Sequence, residues 1–257
     1  MDLSKINKFY FDLDHTLWKW NETILGAEDL IHTIQQSNRQ VYFHTDNSLL
    51  SSKSYAKKLG KMNIETEKES ILTVNHVAAR FFDRKNIHSV YTIGEGDLIQ
   101  ELGNHEIRNS QSADDVLLGL DRQFSYSKLQ RAMRILENGG TLYICSTETT
   151  LQDGSKKIPH QEALNKSLRT YTDNVKLLGK PSDEFVNAFS SYFGYLPEKS
   201  LFVGDRLEDI EVGNKLGMKT ALVMSGKTSK NDLKDVESIK RPDFGVGNLS
   251  KLSKRIK

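Results

Sequence analysis

Phe9-Tyr10-Phe11-Asp12-Leu13-Asp14-His15-Thr16-Leu17 is an apolar run that ends in two carboxylates and a hydroxyl. Its aromatic, β-prone residues read as a buried parallel strand over 8–11, with the acids at the carboxyl end. Open α/β sheets place their ligand sites at that end. Two acids crowded on a strand tip repel each other unless a cation or a shared proton relieves them. A hard divalent ion such as Mg²⁺, which takes oxygen ligands, is one solution. An ordinary strand followed by a polar turn is the plainer reading of this segment alone.

The same pattern recurs along the chain. Short apolar strands are expected over 8–11, 40–44, 89–93, 115–120, 141–145, 175–178, 200–203 and 219–223. Helical stretches are expected between them, over 28–36, 54–62, 71–82, 128–137, 162–171, 184–193 and 208–216. Strands alternating with helices give a parallel sheet covered on both faces, an α/β, doubly wound architecture. Leu129, Met133 and Leu136 are spaced by four and three, so one face of that helix turns inward. Gly139-Gly140, Gly194 and Gly217 stand where three of the helices stop. The strands outnumber what one sheet of five or six needs, so two sheets are expected.

Composition narrows the class of partner. The chain has 257 residues, enough for one large domain or two modest ones, with 36 basic against 34 acidic residues and a net charge of +2. That balance gives no footing for a nucleic-acid surface. The basic tail Lys251-Leu252-Ser253-Lys254-Arg255-Ile256-Lys257 reads as a solvated helix end. Cys145 is the only cysteine, which excludes an internal disulfide and fits a reducing cytosol. It lies in the apolar run Leu142-Tyr143-Ile144-Cys145 and reads as a buried structural thiol. With no signal-peptide core near the start and no bilayer-length apolar run, a soluble cytoplasmic protein without membrane partners is expected.

Three further clusters follow apolar strands, as the first does. Thr45-Asp46-Asn47-Ser48 offers hydroxyl and amide groups that can bind phosphate oxygens, or make a turn or helix cap. Gly179-Lys180-Pro181-Ser182 carries a lysine that is either a fixed positive charge or a solvated side chain, with Pro181 and Ser182 opening a helix. Gly204-Asp205-Arg206-Leu207-Glu208-Asp209 sets two acids four apart around a turn entering a helix. Both can face a metal, and acids in a first helical turn also complement the helix dipole.

In the order Asp-x-Asp-x-Thr, Thr, Lys, Gly-Asp-x-x-x-Asp, the four clusters resemble the haloacid dehalogenase superfamily over nearly the whole chain. Thr45-Asp46-Asn47-Ser48 followed by Tyr55-Ala56-Lys57-Lys58-Leu59 is similar to its class IIA, nitrophenylphosphatase-like branch. So are Val90-Tyr91-Thr92-Ile93-Gly94-Glu95-Gly96 and Gly119-Leu120-Asp121-Arg122-Gln123-Phe124-Ser125-Tyr126. Val203-Gly204-Asp205, continued through Gly213, Gly217 and Ser225-Gly226, belongs to the same likeness. The resemblance implies a Rossmann-like core, residues 1–75 and 174–257, with an α/β cap domain inserted as residues 76–173. It implies a Mg²⁺-dependent phosphatase of a small phosphorylated metabolite, in which Asp12 is the nucleophile and Asp14 the general acid and base. Mg²⁺ would be held by the Asp12 carboxylate, the Asp14 backbone carbonyl and the Asp205 carboxylate, with Asp209 ordering a water ligand. Thr45, Asp46, Asn47 and Lys180 would bind phosphate. A homodimer through the cap also occurs in this branch.

The chain departs from the branch at several positions. His15 stands where glycine is frequent and reads as a local variation. Asp46 replaces an asparagine, and an acid beside phosphate repels it unless its side chain turns away. In the cap, Thr147 and Thr149 stand for an amide and an acid, and His160-Gln161-Glu162 for small residues. Thr147, Thr149 and His160 are therefore the expected specificity residues, although His160 also reads as a surface histidine at a helix start. A phospho-ligand-binding protein with little turnover, and a phosphotransferase or mutase, are the alternative functions.

Overall fold

A computed structural model describes residues 3–19, 22–153 and 156–256. The chain divides into two compact units. The first comprises Met1–Thr45, Lys53–Leu72 and Phe189–Lys257, and the second Asp46–Ser52 and Thr73–Ala188.

The first unit is built on a six-stranded sheet in the order Phe244–Val246, Lys219–Val223, Ser200–Gly204, Lys8–Asp12, Gln40–Thr45, Ile71–Thr73. Strand pairing is parallel from Phe244–Val246 through Gln40–Thr45. Phe9, Tyr10 and Phe11 are fully buried, as a strand covered on both faces requires. Phe11 pairs with Val203 on one side and Phe43 on the other, so the residues that follow leave the sheet at one level. Strand order reverses at Lys8–Asp12, whose neighbours come from early and late in the sequence. Asp12 thus sits at the topological switch point, where the crevice of an open α/β sheet lies.

The second unit carries a five-stranded parallel sheet in the order Val175–Leu177, Leu142–Ile144, Val116–Leu118, Ser89–Ile93, Arg108–Asn109. One of its cores joins Ile93, Val116, Leu118, Leu142 and Ile144 to Ala132, Ile135 and Leu136 of helix Tyr126–Glu137. Leu129 packs against that core, while Met133 is only half-buried. Cys145 is buried in another core of this unit, where burial and the nearby Asp46 charge push its thiol pKa up.

One expected helix is corrected. Residues 71–82 split into a strand, Ile71–Thr73, and a helix, Val74–Arg84. The break falls at Thr73, whose hydroxyl accepts from the backbone N–H of His76 and caps the helix. Helix Gly96–Asn104, strand Phe244–Val246, and the antiparallel strand pairs Trp18–Lys19 with Glu22–Thr23 and Thr150–Asp153 with Lys156–Pro159 were not expected. The basic tail forms helix Leu249–Ile256, exposing Lys251, Lys254 and Arg255 and burying Leu252 and Ile256. Lys257 lies outside the described residues. Gly139, Gly194 and Gly217 follow their helices with positive φ, the left-handed stop that glycine adopts without strain. Among the described residues, no helix is long and apolar enough to cross a membrane.

Candidate active site

In the first unit, the acids of two adjacent strand ends converge. Asp12 closes its strand and Asp205 follows Gly204, the last residue of the next. Both are buried, at 4% and 1% exposure. The Thr16 hydroxyl lies 3.3 Å from Asp12 Oδ2 and 3.2 Å from Asp205 Oδ1. One hydroxyl proton serves one carboxylate at a time, so the Thr16 hydroxyl links the two buried acids without satisfying both at once. Asp205 Oδ2 accepts from the Lys227 N–H at 2.7 Å. Asp209 Oδ2 accepts from the N–H groups of Asp205 and Arg206 at 3.2 and 3.0 Å, so this acid also caps the first turn of helix Leu207–Lys215.

Two glycines make room for the acids. A Cβ on Gly204 would collide with the Asp209 carboxylate, and one on Gly226 with the Asp205 carboxylate. Asp12, His44 and Asp209 each present a donor atom, all within 4.8 Å of one another. The donor set, dominated by ionisable oxygens that are buried and convergent, fits a hard divalent cation. His44 was missed in the sequence. It is fully buried, stacked on Phe202 with ring centroids 4.2 Å apart. The available signal was an imidazole inside the apolar run Val41-Tyr42-Phe43-His44, directly before Thr45.

Asp14 is half-buried, and its carboxylate accepts from Trp18 Nε1 at 2.8 Å. The turn between them is closed by the His15 N–H donating to the Trp18 carbonyl at 2.7 Å. His15 has φ of 61°, a left-handed conformation, which accounts for a site where glycine is also at home. Burial, the largest cause, and the nearby Lys227 charge lower its pKa to about 4 against the pull of Asp14. Thr45 ends its strand and is buried.

The second unit holds the remaining candidates. The Asp46 carboxylate accepts from Ser146 Oγ at 3.0 Å and lies 3.8 Å from Lys180 Nζ. Lys180 is fully buried, so the solvated reading is corrected: its ammonium has left water and sits beside an acid. Asn47 Oδ1 accepts from the Leu49 N–H at 3.1 Å, an Asx turn, and Ser48 Oγ accepts from the Leu120 N–H at 2.8 Å. Ser182 Oγ accepts from the Phe185 N–H, so Ser182 caps helix Asp183–Phe193 and Pro181 stands outside it.

Of the expected specificity residues, Thr147 is half-buried and Thr149 exposed. His160 precedes helix Gln161–Arg169 and is 1% exposed, so the surface reading is corrected: this helix start is an interior one. Residues missed in the sequence surround it. Gln161 Nε2 donates to the Leu118 carbonyl at 2.7 Å and to Asn165 Oδ1 at 3.2 Å. Asn165 Nδ2 donates to the Ser146 carbonyl at 2.8 Å. Gln161 thus ties its helix to the end of strand Val116–Leu118, and Asn165 ties it to Ser146, just past strand Leu142–Ile144.

The comparisons agree with this architecture. Residues 9–108 match a family described as haloacid dehalogenase-like hydrolase, and residues 177–252 one described as HAD-hydrolase-like. The chain is 28% identical to the chloroplastic phosphoglycolate phosphatase 1A of Arabidopsis thaliana over 277 residues, which cover 96% of this chain and 76% of that one. It is 25% identical to the 4-nitrophenylphosphatase of Schizosaccharomyces pombe over 285 residues, covering 98% and 94%. The crystal structure of a 4-nitrophenylphosphatase from Thermotoga maritima matches with a TM-score of 0.88 at 25% identity, covering 99% of each chain. This chain belongs to the haloacid dehalogenase-like hydrolases, in their class IIA, nitrophenylphosphatase-like branch.

Proposed function

We propose that this protein is a Mg²⁺-dependent phosphatase that hydrolyses a phosphate monoester of a small metabolite. The observation that carries the reading is the meeting of the Asp12 and Asp205 carboxylates on the Thr16 hydroxyl, with Asp14 two residues past Asp12. Two buried acids brought this close repel each other, and a cation between them relieves that repulsion. Asp12, the Asp14 backbone carbonyl and Asp205 would hold Mg²⁺, with Asp209 beside them. When bound, the ion neutralises charge so that an anionic phosphate can approach an anionic nucleophile.

An Asp12 oxygen attacks phosphorus and the bond from phosphorus to the ester oxygen breaks. The Asp14 carboxylic acid gives its proton to that leaving oxygen. The Asp14 carboxylate then takes a proton from water, whose oxygen attacks the same phosphorus. The acyl-phosphate bond to Asp12 breaks, inorganic phosphate leaves, and both acids return to their starting states. Thr45, Asn47 and Lys180 hold the phosphoryl oxygens, where positioning and charge neutralisation carry most of the catalysis. Asp46 contributes its backbone N–H to that task, since its carboxylate is engaged by Ser146 and lies near Lys180.

Relatives named for phosphoglycolate and 4-nitrophenyl phosphate support a small substrate. Residues 76–173 are the proposed cap, with Thr147, Thr149 and His160 reading the leaving group. A cytoplasmic homodimer joined through that cap completes the proposal.

The test is hydrolysis of 4-nitrophenyl phosphate, with and without Mg²⁺, by the wild-type protein and Asp12→Asn. Mg²⁺-dependent turnover lost in the variant supports the reading. Turnover by Asp12→Asn at the wild-type rate, or full turnover in a chelator, overturns it. A panel of phosphorylated metabolites ranked by kcat/KM then identifies the substrate.

A further inference from the structure

We propose that His76, Glu101 and His105, in the second unit, form a binding site for a divalent transition-metal ion of the zinc class. None of these residues belongs to the acid cluster around Asp12. His76 lies in the first turn of helix Val74–Arg84, Glu101 in helix Gly96–Asn104, and His105 caps the end of the latter. Glu101 and His105 are four residues apart, so they share one helical face. The two helices are held together beneath them by Val74, Ala78, Leu98 and Leu102, all fully buried in one core. The donor positions are therefore set by packed backbone rather than by a loop.

The three side chains each offer one donor atom, all within 4.8 Å of one another. His76 Nδ1 is 3.2 Å from Glu101 Oε1, and the His76 and His105 rings meet edge to face with centroids 5.9 Å apart. The His76 and Glu101 side chains are 27% and 19% exposed, so an ion can enter from solvent yet lose most of its hydration on arrival. Asn104 also bonds Glu101 from its own helix.

Two imidazoles and a carboxylate are the ligand set of open zinc sites, with the fourth position left to water. Imidazole nitrogens suit zinc, cobalt, nickel and copper, whereas Mg²⁺ and Ca²⁺ take oxygen. A His–Glu ion pair alone would need only His76 and Glu101. The third donor, His105, turned onto the same point, is what a metal requires and a pair does not.

The experiment uses the full chain in millimolar Mg²⁺, which keeps the acid cluster supplied with its own ion. Zn²⁺ uptake is counted by equilibrium dialysis, and Co²⁺ is followed by its visible absorption. Wild-type protein is expected to bind one equivalent, and Zn²⁺ is expected to raise its Tm. His76→Ala, His105→Ala and His105→Gln should each raise Kd by more than about tenfold, since even an outer-shell change costs that much. Their metal-free circular dichroism should match the wild type. Asp205→Asn should retain the ion. Equal Zn²⁺ affinity in the wild type and in every histidine variant that keeps the wild-type circular dichroism overturns the proposal. So does loss of the ion in Asp205→Asn alone. Because uptake is read without turnover, the result stands whether or not the protein proves to be a phosphatase.

Discussion

Trp18 donates its indole N–H to Asp14 Oδ1 at 2.8 Å, holding in place the side chain proposed to move the reaction's protons. The indole is itself clamped. It stacks on Tyr55, with centroids 6.2 Å apart and planes 15° from parallel, and Lys58 Nζ lies 4.3 Å from its ring. Trp18→Phe keeps the ring and deletes the donor. A hydrogen bond to a charged group contributes about 1.5–3 kcal/mol. The variant is expected to lose about 10- to 100-fold in kcat with KM little changed, checked by steady-state kinetics on 4-nitrophenyl phosphate.

The two aspartates at the strand tip should fail by different amounts. Asp12→Asn removes the proposed nucleophile and is expected to lower kcat by about 10⁴-fold or more. Asp14→Asn leaves the attack possible and removes the proposed proton carrier, an effect of about 10²–10⁴-fold. An activated ester with a good leaving group, such as 4-nitrophenyl phosphate, should be less sensitive to Asp14→Asn than an alkyl phosphate. Comparing the two substrates checks the assignment.

Gly226→Ala tests the room left for Asp205. Its new Cβ collides with that carboxylate, and overpacking of this kind costs about 1–3 kcal/mol. The variant should show a lower Tm and a weaker Mg²⁺ activation, read as a rise in the Mg²⁺ concentration giving half-maximal rate. Gly103→Ala, inside helix Gly96–Asn104 where a Cβ meets nothing within 4 Å, is the control: it should leave Mg²⁺ activation unchanged and, by its helix propensity, not lower Tm.

Asp46→Asn separates charge from shape. The amide oxygen can still accept from Ser146, but Lys180 loses the carboxylate 3.8 Å from its ammonium inside the protein. Breaking a buried pair by removing one charge costs about 3–5 kcal/mol. The measurement is chemical denaturation of the wild type and variant, with a clear fall in stability expected.

Glu95 and Arg122 form a two-armed ion pair, with bonds of 2.7 and 2.8 Å. The Arg122 hydrogen bonds hold the Glu95 carboxyl below its ordinary 4.5. The folded protein binds that proton less readily than the unfolded chain, so the stabilisation is present above about pH 4.5 and disappears as pH falls through the folded value. The pair is partly exposed, which limits it to about 0.2–1 kcal/mol. The Glu95→Gln stability deficit should therefore be small at pH 7 and vanish in acid, as denaturation at both pH values would report.

What could be read in the sequence follows from range. The runs Phe9–Phe11 and Leu201–Val203 announce buried strands because they are apolar on both faces, and the polar residues after them announce the site. Helix Gly96–Asn104 stayed hidden because glycine stands at its start and again near its end, and it buries only Leu98 and Leu102. Strand Phe244–Val246 carries a glycine at its centre. Ile71–Thr73 merged with the helix after it, since its three buried residues continue without a break into Val74. The interior placement of His160 and Lys180 was invisible for another reason. Both residue types are normally solvated, and only long-range partners decide otherwise. His44 was overlooked because its importance arises from Asp12 and Asp209, far away in sequence, and not from its neighbours.

Thr16 and Asp205 are 189 residues apart, yet one hydroxyl serves both acids. The strand that delivers Asp205 pairs with Lys8–Asp12 only after the whole Ser89–Leu177 sheet has been synthesised. The acid pair at the strand tip is therefore a product of the fold's longest-range closure: it exists only where a late-encoded strand has docked on the first one.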